Sequence, residues 1–278
     1  MQARAREEEI VQNEKMIAGI REGGIAQGAK QAEDRNRRLQ EVCGFRMDET
    51  AEYALIAGCF SPYLEPQDMT AFRKLLDHFG VDYTLLRKEF CCGDIFFMHA
   101  VHDEHEGDLE QADDLALEFL DQNLEQAREL GASKILAYCA GCDMAFNRAD
   151  DSAAERIVWH PTLLARLFQG GRLDLQADYY PGCHRHRRKL MGTTPDLDSV
   201  TAALSKIDGL ELHHLDSELC CMEPDQLESL ASSVKHKTVI APCAGCTLSL
   251  RRALAGKGEY RVSMLSEVMW AAVDGHEL

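Results

Sequence analysis

The chain has 278 residues, of which 45% are hydrophobic, and a formal net charge of −17 at pH 7. This length suits one large domain or two of ordinary size. The acidic balance argues against nucleic acid as a partner, and the longest apolar runs are far shorter than the roughly 20 residues of a membrane span. The first residues lack the apolar run of a secretory signal, so we expect a cytoplasmic location, where structural disulfides are uncommon.

Residues 1–48 are expected to form a polar N-terminal extension. Apolar side chains recur every three or four residues from Ile10 to Ile20, which is typical of a thin helical stripe. A Gly-Gly pair interrupts the stripe, and a second polar helix is expected over 31–41. The segment has too few apolar residues to build its own core, so we expect it to be helical and lie on a partner protein, or to be mobile.

Residues 49–171 are predicted to form the first of two related domains. Strands are expected over 52–59, 81–86 and 134–138. Helices are expected over 67–79 and 107–130, from residue 142 onward, and over 160–168. Each strand is an apolar run, and the long helix carries apolar residues at helical spacing.

Residues 172–278 are predicted to repeat this plan as a second domain. Strands are expected over 177–183, 210–215, 238–241 and 260–262, and helices over 198–207, 226–233, 248–254 and 265–273. The alternation predicts an α/β fold of two pseudo-repeated halves, each a small parallel sheet flanked by helices. The cysteines described next fall at the carboxyl-terminal ends of strands, where the ligands of such sheets collect.

Ten of the eleven cysteines follow one order that occurs twice. In each half, a single cysteine is followed by an adjacent pair and then by Cys-Ala-Gly-Cys. The first set is Cys59, Cys91, Cys92, Cys139 and Cys142, and the second set is Cys183, Cys220, Cys221, Cys243 and Cys246. A fixed order repeated within one chain indicates an internal duplication, which a role as plain buried cysteines does not explain. Cys43 lies outside the pattern, and a lone cysteine is most often a small buried apolar residue.

Three kinds of thiol chemistry can be weighed against this pattern. Structural zinc uses four ligands, commonly within a few tens of residues, whereas the two Cys-x-x-Cys pairs here are about a hundred residues apart. A Cys-x-x-Cys at a helix start is typical of dithiol redox proteins, but that chemistry leaves the adjacent pairs without a role. Iron–sulfur clusters are held by soft thiolates, and five thiols per half suggest a cluster of unusual shape.

The doubled pattern resembles the cysteine-rich CCG domain, which occurs twice in the B-type component of heterodisulfide reductase. The resemblance covers the chain from about residue 53 to the C-terminus and rests on the ten ordered cysteines. It implies a catalytic iron–sulfur component that reduces or forms a small disulfide in one-electron steps. Carried over by motif position, the first and second sets of cysteines would each bind one noncubane 4Fe-4S cluster.

The resemblance also implies partner proteins, because the chain has neither a ferredoxin-type Cys-x-x-Cys-x-x-Cys run nor a flavin fingerprint. A ferredoxin-type iron–sulfur subunit and a flavin subunit, which would resemble the C-type and A-type components of the reductase, are expected to exchange electrons with it. One departure concerns the adjacent pairs: the first is followed by Gly93, as is usual in the family, and the second by Met222. A non-catalytic electron-relay or scaffold protein with one cluster therefore stays open, as does a dithiol oxidoreductase.

A basic run at 184–189 follows Cys183 directly in this acidic chain. Arg185, Arg187 and Arg188 are candidate substrate-binding residues, since guanidinium groups bind sulfonates, phosphates and carboxylates. The alternative is a solvated surface patch, or one that docks an acidic partner. The pattern identifies no catalytic residue.

Overall fold

The structure is a computed structural model that describes residues 2–102, 106–150, 152–182 and 192–278. The chain divides into two compact units, one of Met1–Tyr63 with Asp82–Ile157 and the other of Leu64–Val81 with Val158–Leu278. The domain limits expected from the repeat, after residues 48 and 171, remain a prediction. None of the helices in the described residues is long and apolar enough to cross a membrane.

Helices and strands alternate along most of the chain. The helices of the first half are α1 (Gln2–Gly23), α2 (Ala29–Glu41), α3 (Ser61–Leu64), α4 (Pro66–His78), α5 (Asp94–His102), α6 (Glu106–Glu129), α7 (Ala140–Ala149), α8 (Ala153–Arg156) and α9 (His160–Leu167). Those of the second half are α10 (Leu197–Leu204), α11 (Pro224–Ser233), α12 (Ala244–Leu254) and α13 (Leu265–Asp274). The strands are β1 (Tyr53–Ile56), β2 (Tyr83–Leu85), β3 (Lys134–Ala137), β4 (Ile157–Trp159), β5 (Gly171–Tyr179), β6 (Ile207–His214), β7 (Thr238–Ile240) and β8 (Arg261–Ser263).

The strands in the described residues form two four-stranded sheets with the same topology. The order is β2-β1-β3-β4 in the first sheet and β6-β5-β7-β8 in the second. Strand β1 pairs in parallel with β2 and β3, β5 pairs in parallel with β6 and β7, and β7 does so with β8. The prediction of an α/β fold with two pseudo-repeated halves and small parallel sheets is thereby confirmed.

The central strands are short apolar runs buried on both faces. Leu55 and Ile56 of β1, and Ile135 and Leu136 of β3, have no exposed surface. Parallel strands that are covered by helices on both sides read as continuous apolar runs of this kind. Burying each such side chain stabilises the fold by about 1.5–3 kcal/mol, so the sheet is a rigid base for the loops that leave it.

Several elements differ from the sequence-based prediction. Strand β5 begins at Gly171, not at residue 177. The prediction started too late because the first half of the strand alternates polar and apolar residues and so lacks a continuous apolar run. Helices α3, α5 and α8 and strand β4 were not predicted, and β6 begins at Ile207, where the end of a helix was expected. Helix α5 buries Phe96, Phe97 and Ala100, and its sequence is apolar over most of its length, so it lacks the periodic stripe that identifies a surface helix.

The N-terminal extension forms helices α1 and α2 and packs onto its own unit. Ile20, Ile25, Ala32 and Leu39 are buried there. The segment is thus helical and packs within its own unit, although its sequence has few apolar residues. The reason is that the apolar stripe, although thin, is joined by polar side chains that bond to the loops of the first unit.

Candidate functional site

Three loops that carry cysteines leave the same edge of the first sheet. Strand β1 ends three residues before Cys59, β3 ends two residues before Cys139, and the Cys91–Cys92 pair follows β2. Since β1 lies between β2 and β3, the chain order reverses beside β1, and such a switch point is where ligands of parallel sheets bind. The loops approach closely, because a Cβ built on Gly58 would lie 3.2 Å from the Cβ of Cys139.

The five thiols of the first set contact one another in series. Hydrogen-bonded pairs link Cys59 to Cys91, Cys91 to Cys92, Cys92 to Cys142, and Cys142 to Cys139. Four of them are buried and Cys139 is partly exposed. Residues that lie as far apart in the sequence as 59 and 142 therefore form one continuous cluster of sulfur atoms.

Mutual contact and burial shift the pKa values of the four buried thiols. The pKa of Cys59 is raised well above its usual range by the hydrogen bond with Cys91 and by burial. The pKa of Cys142 is raised by hydrogen bonds with Cys139 and Cys92 and by burial. The pKa of Cys92 is lowered instead, because the hydrogen bonds with Cys142 and Cys91 stabilise its thiolate. Cysteine ligands bind a metal as thiolates, so metal binding at this cluster would release protons.

The second set is described for four of its five cysteines. The Sγ atoms of Cys221 and Cys246 lie 3.2 Å apart, and Cys246 is also hydrogen-bonded to Cys243. Cys220 is buried, and its backbone N–H donates to Oε1 of Gln226 at 2.6 Å. The remaining predicted residues, namely Cys183, Arg185, Arg187 and Arg188, lie outside the described residues.

Both Cys-Ala-Gly-Cys motifs adopt the same local structure. Cys139 and Cys243 are the N-cap residues of α7 and α12, and their carbonyl groups accept from the N–H groups of Asp143 and Thr247 at 3.2 and 3.0 Å. The second cysteine of each motif therefore lies in the first turn of its helix. The positive end of the helix dipole favours thiolates at these positions.

Family comparison agrees with the cysteine order. The sequence matches the CCG family, a cysteine-rich domain, over residues 53–147 and 177–229, which together are more than half of the chain. The chain belongs to the cysteine-rich CCG family. The matched residues of this CCG protein contain eight of the ten ordered cysteines and exclude the extension, Cys243 and Cys246.

The CCG protein is similar to the D-type component of dihydromethanophenazine:CoB–CoM heterodisulfide reductase from two Methanosarcina species. The relative from Methanosarcina mazei is 24% identical over 253 residues, which are 80% of this chain and 58% of the relative. The relative from Methanosarcina barkeri is 28% identical over 193 residues, which are 63% of this chain and 44% of the relative. The chain thus spans less than two thirds of the length of these relatives.

Two residues that the sequence did not single out hold the adjacent cysteine pairs of the CCG protein. Buried Asn123 of α6 accepts from the N–H of Phe90 and donates to its carbonyl, both at 2.8 Å. In the second unit, the hydroxyl of Tyr180 donates to the carbonyl of Leu219 at 2.6 Å. Each supported residue directly precedes an adjacent pair, so both side chains position a cysteine turn. The sequence does not show the burial of Asn123, which is one polar residue among many in a long predicted helix.

Glu89 is a further residue that the sequence did not single out. Its carboxylate accepts from the N–H groups of Ala57 and Gly58 at 2.8 and 2.7 Å, immediately before Cys59. It is almost fully buried and lies 3.6 Å from the equally buried guanidinium of Arg35. The pair brings two opposite charges beside the first set of thiols.

An exposed apolar residue adjoins the described cysteines of each set. Phe60 follows Cys59 and is 52% exposed, and Met222 follows Cys221 and is 56% exposed. Within the described residues, no three His, Cys, Asp or Glu side chains surround a single ion position.

A separate cavity of about 330 Å³ lies at the opposite, amino-terminal end of β3, and its lining includes Lys134.

Proposed function

We propose that this CCG protein is the iron–sulfur subunit of a heterodisulfide reductase-like complex and reduces or forms a small disulfide. The observation that carries the proposal is the series of contacts among five buried or partly buried thiols at the switch point of the first sheet. The similarity to components of heterodisulfide reductase supports the same assignment.

The donor set fits an iron–sulfur cluster. Thiolates are the ligands that iron–sulfur clusters use, and an ordinary cubane takes four of them. Five thiols in contact exceed that number, which supports a noncubane 4Fe-4S cluster held by the first set. The second set, with Cys183 as its fifth member, would hold another, and the contacts of Cys246 with Cys221 and Cys243 support this.

A bound cluster supplies one-electron transfer next to a sulfur substrate. In the reducing direction, a disulfide takes two electrons and two protons, its S–S bond breaks, and two thiols leave. The electrons come from a reduced iron–sulfur carrier, which we propose to be a ferredoxin-type subunit served by a flavin subunit, in the cytoplasm. The chain itself holds the thiolates at fixed spacing, and Arg185, Arg187 and Arg188 would bind an anionic group of the substrate.

A second candidate function is an electron relay with a single cluster at the first set. The two adjacent pairs differ in backbone conformation, which favours this alternative. Gly93, after the first pair, has a φ of 76°, whereas Met222, after the second, is not among the described non-glycine residues with positive φ. The backbone after the second pair thus differs in conformation from the backbone after the first, which is consistent with a cluster at the first set alone.

The deciding experiment is the iron and acid-labile sulfide content of anaerobically purified full-length protein, with EPR after mild oxidation. About eight irons per chain are expected for two clusters and about four for one. Cys92→Ser should remove about half of the iron through the first site, and Cys221→Ser should do the same through the second. Cys43→Ala is the matched control, because this buried cysteine lies outside the repeated order.

The outcomes separate the candidates. An EPR signal that shifts when a small thiol is added supports substrate binding at a cluster. Iron loss in Cys92→Ser alone would leave the one-cluster relay. Wild-type protein that holds zinc without iron would refute the proposal and favour a structural role. Wild-type protein that holds no metal and forms a reversible disulfide would refute it and favour a dithiol role.

A further inference from the structure

The N-terminal extension contacts the segment that leads into the first adjacent cysteine pair. The carbonyl of Gly24, between α1 and α2, accepts from the backbone N–H of Cys91 at 2.7 Å. Asn36 of α2 donates to the carbonyl of Arg87 at 2.7 Å, and Lys88 donates to the carbonyl of Arg21 at 3.2 Å. The extension therefore bonds to three residues within 87–91, although it lies outside the residues matched to the CCG family.

Gly24 is required at this approach for two reasons. Its φ is 84°, a left-handed conformation that side chains disfavour. A Cβ at this position would lie 2.3 Å from the carbonyl oxygen of Glu89, which is backbone and cannot move aside alone. Any side chain at position 24 would thus push the extension away from the cysteine loop.

Helix α2 also supports the loop that carries Cys59. Its buried Arg35 lies 3.6 Å from Glu89, whose carboxylate holds the N–H groups before Cys59. The hydroxyl of Tyr63 in α3, just after Cys59, donates to the carbonyl of Gln31 at 3.1 Å. One helix therefore braces the loops on both sides of the Cys59–Cys91 contact.

We propose that the α1–α2 extension is a built-in clamp on the first cysteine site, in which Gly24 and Arg35 of the extension and Glu89 of the clamped segment are positioning residues. In the metal-free protein, the clamp holds the backbone just before Cys59 and the backbone N–H of Cys91. Its second role rests on the proposed function: the two buried charges bias the reduction potential of the cluster in opposite directions. A nearby positive charge stabilises the more negative, reduced cluster, and a nearby negative charge opposes reduction.

The first test uses full-length, metal-free, reduced protein and so does not depend on cluster binding. Gly24→Ala should raise the hydrogen-exchange rate of the Cys91 amide roughly threefold to tenfold, the effect of losing one buried hydrogen bond. Gly28→Ala is the matched control, because Gly28 has the same φ of 84° but no atom within 4 Å of its Cβ position. Equal exchange at Cys91 in the two variants would overturn the clamp.

The second test measures the reduction potential of the first cluster by EPR-monitored titration. Arg35→Met should lower the potential, Glu89→Gln should raise it, and the double variant should return toward wild type. Arg35→Lys should keep the wild-type value, and Arg37→Met is the control, since Arg37 lies on the same helix but is mostly exposed. Shifts of the same sign in both single variants, or no shift, would overturn the electrostatic role.

The two tests also distinguish failure of the inference from failure of the proposed function. Wild-type protein without iron would refute the cluster, yet hydrogen exchange at Cys91 would still confirm or refute the clamp. If Arg35→Met does not fold, Glu89→Gln and Arg35→Lys still provide the comparison of charge.

Discussion

Asn123 offers a direct test of how the first cysteine pair is positioned. Its side-chain amide makes two hydrogen bonds to the backbone of Phe90, both at 2.8 Å and both buried. Replacement by Leu keeps the approximate volume but removes both partners of a backbone N–H and a backbone carbonyl. We therefore expect Asn123→Leu to destabilise the first unit and loosen the turn at Cys91.

The size of the effect follows from the two groups that lose their partners. Leaving a buried donor or acceptor unsatisfied costs about 1–3 kcal/mol for each group. The sum for Phe90 is about 2–6 kcal/mol in the free energy of unfolding, toward the lower end if the loop moves and admits water. Most single substitutions cost about 0.5–3 kcal/mol, so a loss toward the upper end of this range is diagnostic of a buried hydrogen-bond network.

The assay is urea unfolding of metal-free, reduced protein, followed by far-UV circular dichroism, with hydrogen exchange to locate the change. Gln126→Ala is the matched control, since Gln126 lies on the same helix and donates to the carbonyl of Lys88 at 2.9 Å in an exposed position. The control should lose no more than about 0.5 kcal/mol. If Asn123→Leu lost as little as the control, the reasoning would be wrong.

Two further predictions concern glycine packing and pH. Gly245→Ala should raise the melting temperature, because Ala favours a helix and the new Cβ would meet only the Sγ of Cys243, at 3.8 Å. Gly141→Ala should not raise it, since its Cβ would lie 2.7 Å from Oδ2 of Asp94. Equal gains in melting temperature for both variants would refute this reasoning. Burial raises the pKa of Glu65 to about 8 despite its bonds with Arg251. The folded state therefore holds this proton more tightly than the unfolded state does. The stabilisation from protonated Glu65 is complete below a pH of 4.5, the ordinary pKa of the group, and is lost as the pH rises through about 8. Urea midpoints of wild type should fall over that window relative to Glu65→Gln, and parallel pH profiles would contradict the prediction.

The sequence was sufficient for the fold because its main signals are local. The apolar run of β3 and the Cys-Ala-Gly-Cys motif that follows it need no tertiary information to be identified as a strand and a turn. The repeat then predicts that both halves share one topology, and both sheets have it. Helix α5 was missed because its residues are apolar on nearly every side, which removes the periodicity that marks a helix.

The supporting residues could not be predicted, because their role depends on contacts between distant parts of the chain. Arg35 lies in a helix rich in charged residues, and such residues are usually solvated. Its burial follows only from the position of Glu89, which bonds to the loop before Cys59. A charge pattern does not distinguish a solvated guanidinium from one whose partner lies under a distant loop.

The two halves show which part of the site the duplication preserves. The strand order and the position of each Cys-x-x-Cys at a helix start are the same in both halves. The supports of the adjacent pairs are not: Asn123 holds the residue before the first pair, whereas Tyr180 and Gln226 hold the second. Because hydrogen bonds and charges around the sulfur atoms set the properties of a cluster, preserved thiols with different supports should give two sites of different reduction potential.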